Sequence, residues 1–267
     1  MGSEDFLSAV GSIANALFLI ASVYIYVALL RQINRHDPIE TDRDFGSAEV
    51  ALAIFLIAVF AFSSLGASSA QIVRLRTPDL ILNAAVAIGM VLFVAAFLKL
   101  RRFNLSELTG IGRLSFARAV LTGLVLLIFA YPLILFADWL TARLLGSGSS
   151  RQGIIELFSG SQSMEQRVII ILLATAIAPV AEEFIFRFFL YGVLRRYLGR
   201  SIGIIVSALL FAAVHVHLPS FAPLFALGIC FTLAYEWSGS LLVSMTMHAI
   251  FNAITLLALA FPETLQP

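Results

Sequence analysis

Three short arrangements set reactive side chains into apolar sequence: Glu182-Glu183-x-x-x-Arg187, Phe211-x-x-x-His215 and His248-x-x-x-Asn252. An ionisable residue at membrane depth costs about 2.5–3.5 kcal/mol or more and points to function unless a structural partner accounts for it. Carboxylates and imidazoles gathered in an apolar setting are the raw material of water activation, of zinc binding, or of proton-coupled transport.

On a helix, Glu183 and Arg187 are four apart and share a face, so they can pair. Glu182 is turned about 100° from Glu183 and roughly 140° from Arg187, and is expected to point toward a cavity shared with other helices. Pro179, three residues earlier, removes an intrahelical hydrogen bond; the expected bend frees backbone groups and makes room for the water a reactive carboxylate requires. A Glu–Arg pair that merely fastens helices explains Glu183 well and Glu182 poorly. Glu182 lies 13 residues before Arg195, and His215 lies 15 residues after Arg200. At about 1.5 Å per residue, both stand roughly 20 Å from basic anchors, at one level of the membrane. His217 points away and reads as interfacial. His248 and Asn252 share one helical face and sit about 13 and 20 Å beyond the turn Ser238-Gly239-Ser240, again at that level. Interhelical hydrogen bonding, at about 1 kcal/mol per pair, accounts for any one of these groups singly, but not for their convergence.

The elements that must position these residues are transmembrane helices. The chain has 267 residues, of which 60% are hydrophobic and 12% charged, with a mean hydropathy of +0.99; soluble domains carry about 25% charged residues. A net charge of +1 gives no basic patch for nucleic acid. Eight spans are expected in an all-α polytopic fold: Phe6–Leu30, Val50–Ala70, Leu80–Leu98, Ala119–Leu140, Val168–Leu190, Ile202–Val216, Phe221–Tyr235 and Leu241–Phe261. The sixth and seventh are short and are read as full helices rather than a shallow hairpin. The first run, too long for a signal peptide and without a basic n-region, is expected to be retained as a span. Pro132 is expected to kink the fourth. Residues 1–160 read as an apolar scaffold of about four helices plus a loop, Gly146–Gln166, with a short amphipathic piece. Residues 161–267 read as the catalytic core of about four helices, which holds the buried polar groups. The odd connections hold eleven basic residues: Arg31, Arg35, Arg43, Lys99, Arg101, Arg102, Arg113, Arg118, Arg195, Arg196 and Arg200. The second and fourth hold five: Arg74, Arg76, Arg143, Arg151 and Arg167. The positive-inside rule then puts the odd connections in the cytoplasm and both termini outside, in a cell membrane of bacterial type. Cys230 stands alone, excluding an intrachain disulfide, and reads as packing.

Taken in order on consecutive membrane helices, Glu-Glu-x-x-x-Arg, Phe-x-x-x-His and His-x-x-x-Asn resemble the CPBP family, the CAAX-protease and bacteriocin-processing (Abi, Rce1-like) intramembrane proteases. The intervening Leu218-Pro219-Ser220-Phe221 and Tyr235-Glu236-Trp237-Ser238-Gly239-Ser240-Leu241 agree, and the resemblance covers roughly Gln166–Leu257. It implies a glutamate-dependent intramembrane endopeptidase without a cofactor, acting on peptides or on membrane-associated or lipidated proteins within the lipid bilayer. Glu182 would take a proton from water, His215 would orient or polarise that water, and His248 and Asn252 would donate hydrogen bonds to the oxyanion. Glu183 and Arg187 would support the helix. Two other uses of the same residues stay open. Glu182, His215 and His248 could hold zinc, although no His-Glu-x-x-His is present. A non-enzymatic immunity protein or a proton-coupled transporter could also carry them, although the discontinuous repeats of transporters are not visible.

Overall fold

The computed structural model describes residues 3–35, 44–68, 76–146, 161 and 163–260. These form α1 (Ser3–Arg35), α2 (Ser47–Ser68), α3 (Thr77–Leu100), the short α4 (Leu105–Thr109) and α5 (Phe116–Leu145). There follow α6 (Met164–Leu198), α7 (Arg200–Ala213), a 3-10 turn at Leu218–Ser220, α8 (Phe221–Ser238) and α9 (Leu241–Ala260). Among the described residues, seven helices are long and apolar enough to cross a bilayer, and α7 is a shorter apolar helix. The chain is a polytopic all-α membrane protein. Most of the expected Gly146–Gln166 loop lies outside the described residues.

The long helices are apolar around their whole circumference, so a solvent-facing stripe cannot set their orientation. Exposed Ile81, Leu92, Phe93 and Leu121 are lipid-facing surface. Helix ends carry the local signals: Ser115 Oγ accepts from Arg118 N–H and Ser163 Oγ from Gln166 N–H, capping α5 and α6. Gly239 takes a left-handed φ of 63° to end α8, and Gly110 packs against its carbonyl with no room for a Cβ.

The core centres on α8, which packs against α1, α5, α7 and α9, while α5 also lies against α9. At the α5–α9 crossing a Cβ on Gly123 would meet Thr246 Oγ1, and Thr246 Oγ1 donates to Ala119 O at 3.3 Å. Tyr26 OH donates to Leu126 O at 2.8 Å, tying α1 to α5. Tyr235 OH donates to Leu108 O at 3.2 Å. A buried ionic hub closes one end of the molecule. Fully buried Glu236 accepts from Arg195 Nη1 at 2.9 Å and Arg200 Nε at 3.1 Å, and Arg200 Nη1 also reaches Asn34 Oδ1.

One expected span forms differently. The helix expected through Val216 stops at Ala213 after 14 residues, about 21 Å of rise, short of the roughly 30 Å hydrocarbon core. Val216 has φ 49°, a left-handed conformation that a β-branched residue rarely adopts and that cannot continue a right-handed helix. The helix therefore ends before the 3-10 turn that leads into α8, and His215 sits in a turn rather than on a helix.

Candidate active site

Around Pro179 the helical register of α6 changes. The stretches Leu173–Ile177 and Glu183–Leu190 are π-helical, with Ala178 N–H donating to Leu173 O and Tyr191 N–H to Phe186 O, five residues back. Such wide turns are uncommon and often mark functional sites. The second one is buried along its entire length and begins at Glu183.

Underwinding at this point lets both glutamates reach one ring on α9. Glu183 is fully buried; its Oε1 lies 3.1 Å from Arg187 Nη1 and 3.0 Å from His248 Nδ1. On the other edge of that ring, His248 Nε2 stands 3.8 Å from Glu182 Oε2. The Glu182 side chain keeps 29% exposure, whereas that of Glu183 keeps none. Glu182 Oε2 has no hydrogen-bond partner. Glu183 is consumed by Arg187 and His248, whereas Glu182 keeps part of its side chain exposed and holds Oε2 buried without a hydrogen-bond partner.

Aromatic faces enclose the cluster. The Arg187 guanidinium sits 3.9 Å from the Phe211 ring centre and 5.1 Å from that of Phe231, a cation–π cradle in place of water. His248 stacks on Phe231 at 5.1 Å and meets Phe211 edge-on at 5.9 Å. His215 packs on the same Phe211 ring at 4.9 Å, and its Nδ1 pairs with the Phe211 carbonyl at 2.7 Å. That bond leaves Nε2 as the free ring nitrogen. Among the described residues no hydrogen bond joins His215 to Glu182. Asn252 donates from Nδ2 to Ala174 O at 2.8 Å, on the backbone of α6. His217, read as interfacial, is half-buried and paired with Ser220 Oγ at 2.6 Å. The zinc alternative has no convergent donor set, because among the described residues no three His, Cys, Asp or Glu come together as a metal ion requires. Cys230 is a buried free cysteine.

Two apolar cavities flank this part of α6. One, of about 130 Å³, lies beside the His215 turn against Phe60, Phe186, Leu210 and Val214. The other, of about 320 Å³, is an open groove on the lipid-facing side between α3 and α6, against Ile88, Leu92, Ile177, Val180 and Ala181.

Residues 164–254 match the family model described as type II CAAX prenyl endopeptidase Rce1-like. This segment belongs to the CPBP family. It runs from the first residue of α6 into α9 and contains Glu182, Glu183, Arg187, His215, His248 and Asn252. The chain is 31% identical over 105 residues to the membrane-embedded CAAX protease MroQ of Staphylococcus aureus (strain USA300), an alignment over 37% of this chain and 42% of that one. It is 36% identical over 88 residues to the uncharacterized protein YpbD of Bacillus subtilis (strain 168), over 32% of this chain and 42% of the other. The chain thus spans 42% of the length of each of these relatives. No solved structure matches it.

Within the CPBP segment, several residues that shape the site carry no signal as chemistry. Phe231 is one of 23 phenylalanines in the chain, and only its neighbours in space reveal the cradle. Phe211 stood in a motif as a spacer and proves to be the surface shared by Arg187, His215 and His248. The role of Ala174 is readable only from Pro179, five residues later.

Proposed function

We propose that the chain is an intramembrane endopeptidase that hydrolyses peptide bonds in membrane-associated or lipidated proteins or peptides, with Glu182 activating water. The observation that carries this reading is the asymmetry of the two carboxylates around His248: one fully buried and paired with Arg187, the other partly exposed, with a buried, unpartnered oxygen 3.8 Å from Nε2. Glu182 accepts a proton from water as the hydroxide oxygen bonds to the carbonyl carbon. With Nδ1 held by Glu183, the ring of His248 presents Nε2 to the reacting group. The proton taken by Glu182 can pass to that atom, making His248 a charged donor to the oxyanion and then to the leaving amine. The C–N bond breaks as the amine nitrogen gains that proton. His215, with Nε2 free at the adjoining turn, orients the water once substrate closes the gap. Asn252 supports the site from the backbone of α6. The two flanking cavities suit apolar substrate side chains, and the excess of basic residues on the odd connections supports a cytoplasmic placement for them, with both termini outside.

The test compares membrane and secreted peptides from cells carrying the wild type and Glu182→Gln, followed by cleavage assays of the purified proteins. Loss of specific cleavage products in the variant supports the reading. If Glu182→Gln and His215→Ala process peptides like the wild type, the peptidase assignment is wrong and a non-enzymatic role takes its place. Abolition of activity by a strong chelator, with recovery on adding zinc, would instead favour the metal-dependent version.

A further inference from the structure

Asn252 stands one turn beyond His248 on α9, and one N–H of its amide donates to the backbone of α6. The π register explains why an acceptor waits there. Ala178 N–H donates to Leu173 O, so the same register assigns Ala174 O to residue 179. That residue is proline and has no N–H. Ala174 and Pro179 are both buried, so water does not readily supply the missing donor, and an orphaned carbonyl there carries a desolvation penalty. Asn252 Nδ2 meets that carbonyl at 2.8 Å. Glu182 follows Pro179 by three residues, and His248, on the same face of α9 as Asn252, meets both glutamates. Two side chains a turn apart thus grip α6 on either side of its proline.

We propose that Asn252 is a positioning residue that replaces the N–H missing at Pro179, fixes the π register of α6, and thereby places Glu182 against His248. The register claim stands on geometry alone; its effect on turnover rests on the peptidase reading.

The full chain in detergent micelles is compared as wild type, Asn252→Ala, Asn252→Leu, Pro179→Ala and the two doubles. Asn252→Leu keeps the shape while removing the donor, and covers the case in which the alanine variant does not fold. Displacing the base by a fraction of an ångström should lower kcat about ten- to a hundredfold with KM nearly unchanged. Pro179→Ala supplies an N–H to α6, so in that background the effect of losing Asn252 should shrink to within about threefold, the signature of two coupled sites. Thermal unfolding, read without substrate, should show the same rescue. An Asn252 loss that is equally severe with alanine at 179, in both turnover and unfolding, overturns the proposal. Coupling in unfolding without any cleavage by the wild type keeps the register claim and removes the peptidase reading. Cleavage by the wild type with no coupling in either measurement does the reverse.

Discussion

Replacing Glu183 by glutamine keeps the shape of the side chain and removes a charge from the most enclosed part of the molecule. Glu183 and Arg187 are both fully buried, and among the described residues Glu183 is the one carboxylate in contact with the guanidinium, at 3.1 Å. The Nε and both Nη atoms of Arg187 find no hydrogen-bond acceptor. The variant therefore leaves a buried cation without a carboxylate at ion-pair distance, Glu182 acting on it only from farther away; stranding a buried charge costs about 3–5 kcal/mol in comparable settings. The Phe211 and Phe231 faces offset part of that cost through cation–π attraction, which argues for the lower end, about 3 kcal/mol. At about 1.4 kcal/mol per factor of ten, the folded-to-unfolded ratio falls roughly a hundredfold. Adding Arg187→Met removes the stranded charge and fills the aromatic cradle with an apolar chain, so Glu183→Gln/Arg187→Met should return to within about 1.5 kcal/mol of the wild type. Equilibrium unfolding in mixed micelles, followed by helical circular dichroism, measures both. If Glu183→Gln costs less than about 1 kcal/mol, or if the double variant is as unstable as the single, the charge-compensation argument is refuted.

Glu182→Gln should behave in the opposite way, lowering turnover by about a hundredfold or more while leaving the unfolding midpoint unchanged, because Glu182 Oε2 has no bonded partner to lose; paired kinetic and unfolding measurements check this. Gly123→Ala should destabilise by about 1–3 kcal/mol through the clash of its Cβ with Thr246 Oγ1, seen as a lower midpoint in the same unfolding assay. Glu236→Gln should cost about 1–3 kcal/mol, the partial exposure of Arg195 and Arg200 screening the loss, and should speed proteolysis near Asn34.

The spans could be read from the sequence because length and apolarity suffice to place a transmembrane helix, and α1, α2, α3, α5 and α9 form close to where those properties put them. The site was legible as residue types at a common depth: Glu182, Glu183, Arg187 and His248 do meet. Their mutual angles were not legible. Ideal α geometry turns Glu182 about 100° from Glu183, yet one imidazole touches both, because the π register is a backbone property that hydropathy does not encode. Pro179 was the cue to a disturbed backbone with freed groups, but nothing in the residue types specifies the change of register beside it. The end of α7 failed for a related reason. Apart from His215 the apolar run continues through Val216, yet the helix ends at Ala213 and tight turns at His215 and Val216 follow, the latter with φ 49°. Glu236 falls just past the expected span Phe221–Tyr235; its burial depends on two arginines from other helix ends closing over it.

α5 lies outside residues 164–254, yet it supplies a wall for α8 and α9, where Thr246 bonds to its backbone and Tyr131 packs on Phe251 at 5.9 Å. The motif-bearing helices are therefore not a portable cassette. Grafted without α5, they would carry Glu182 and His248 but leave α9 unsupported along the face opposite the chemistry. A wall asked only to be apolar and close-fitting tolerates wide drift in sequence, which is how the unrecognisable half of this chain can be indispensable to the recognisable one.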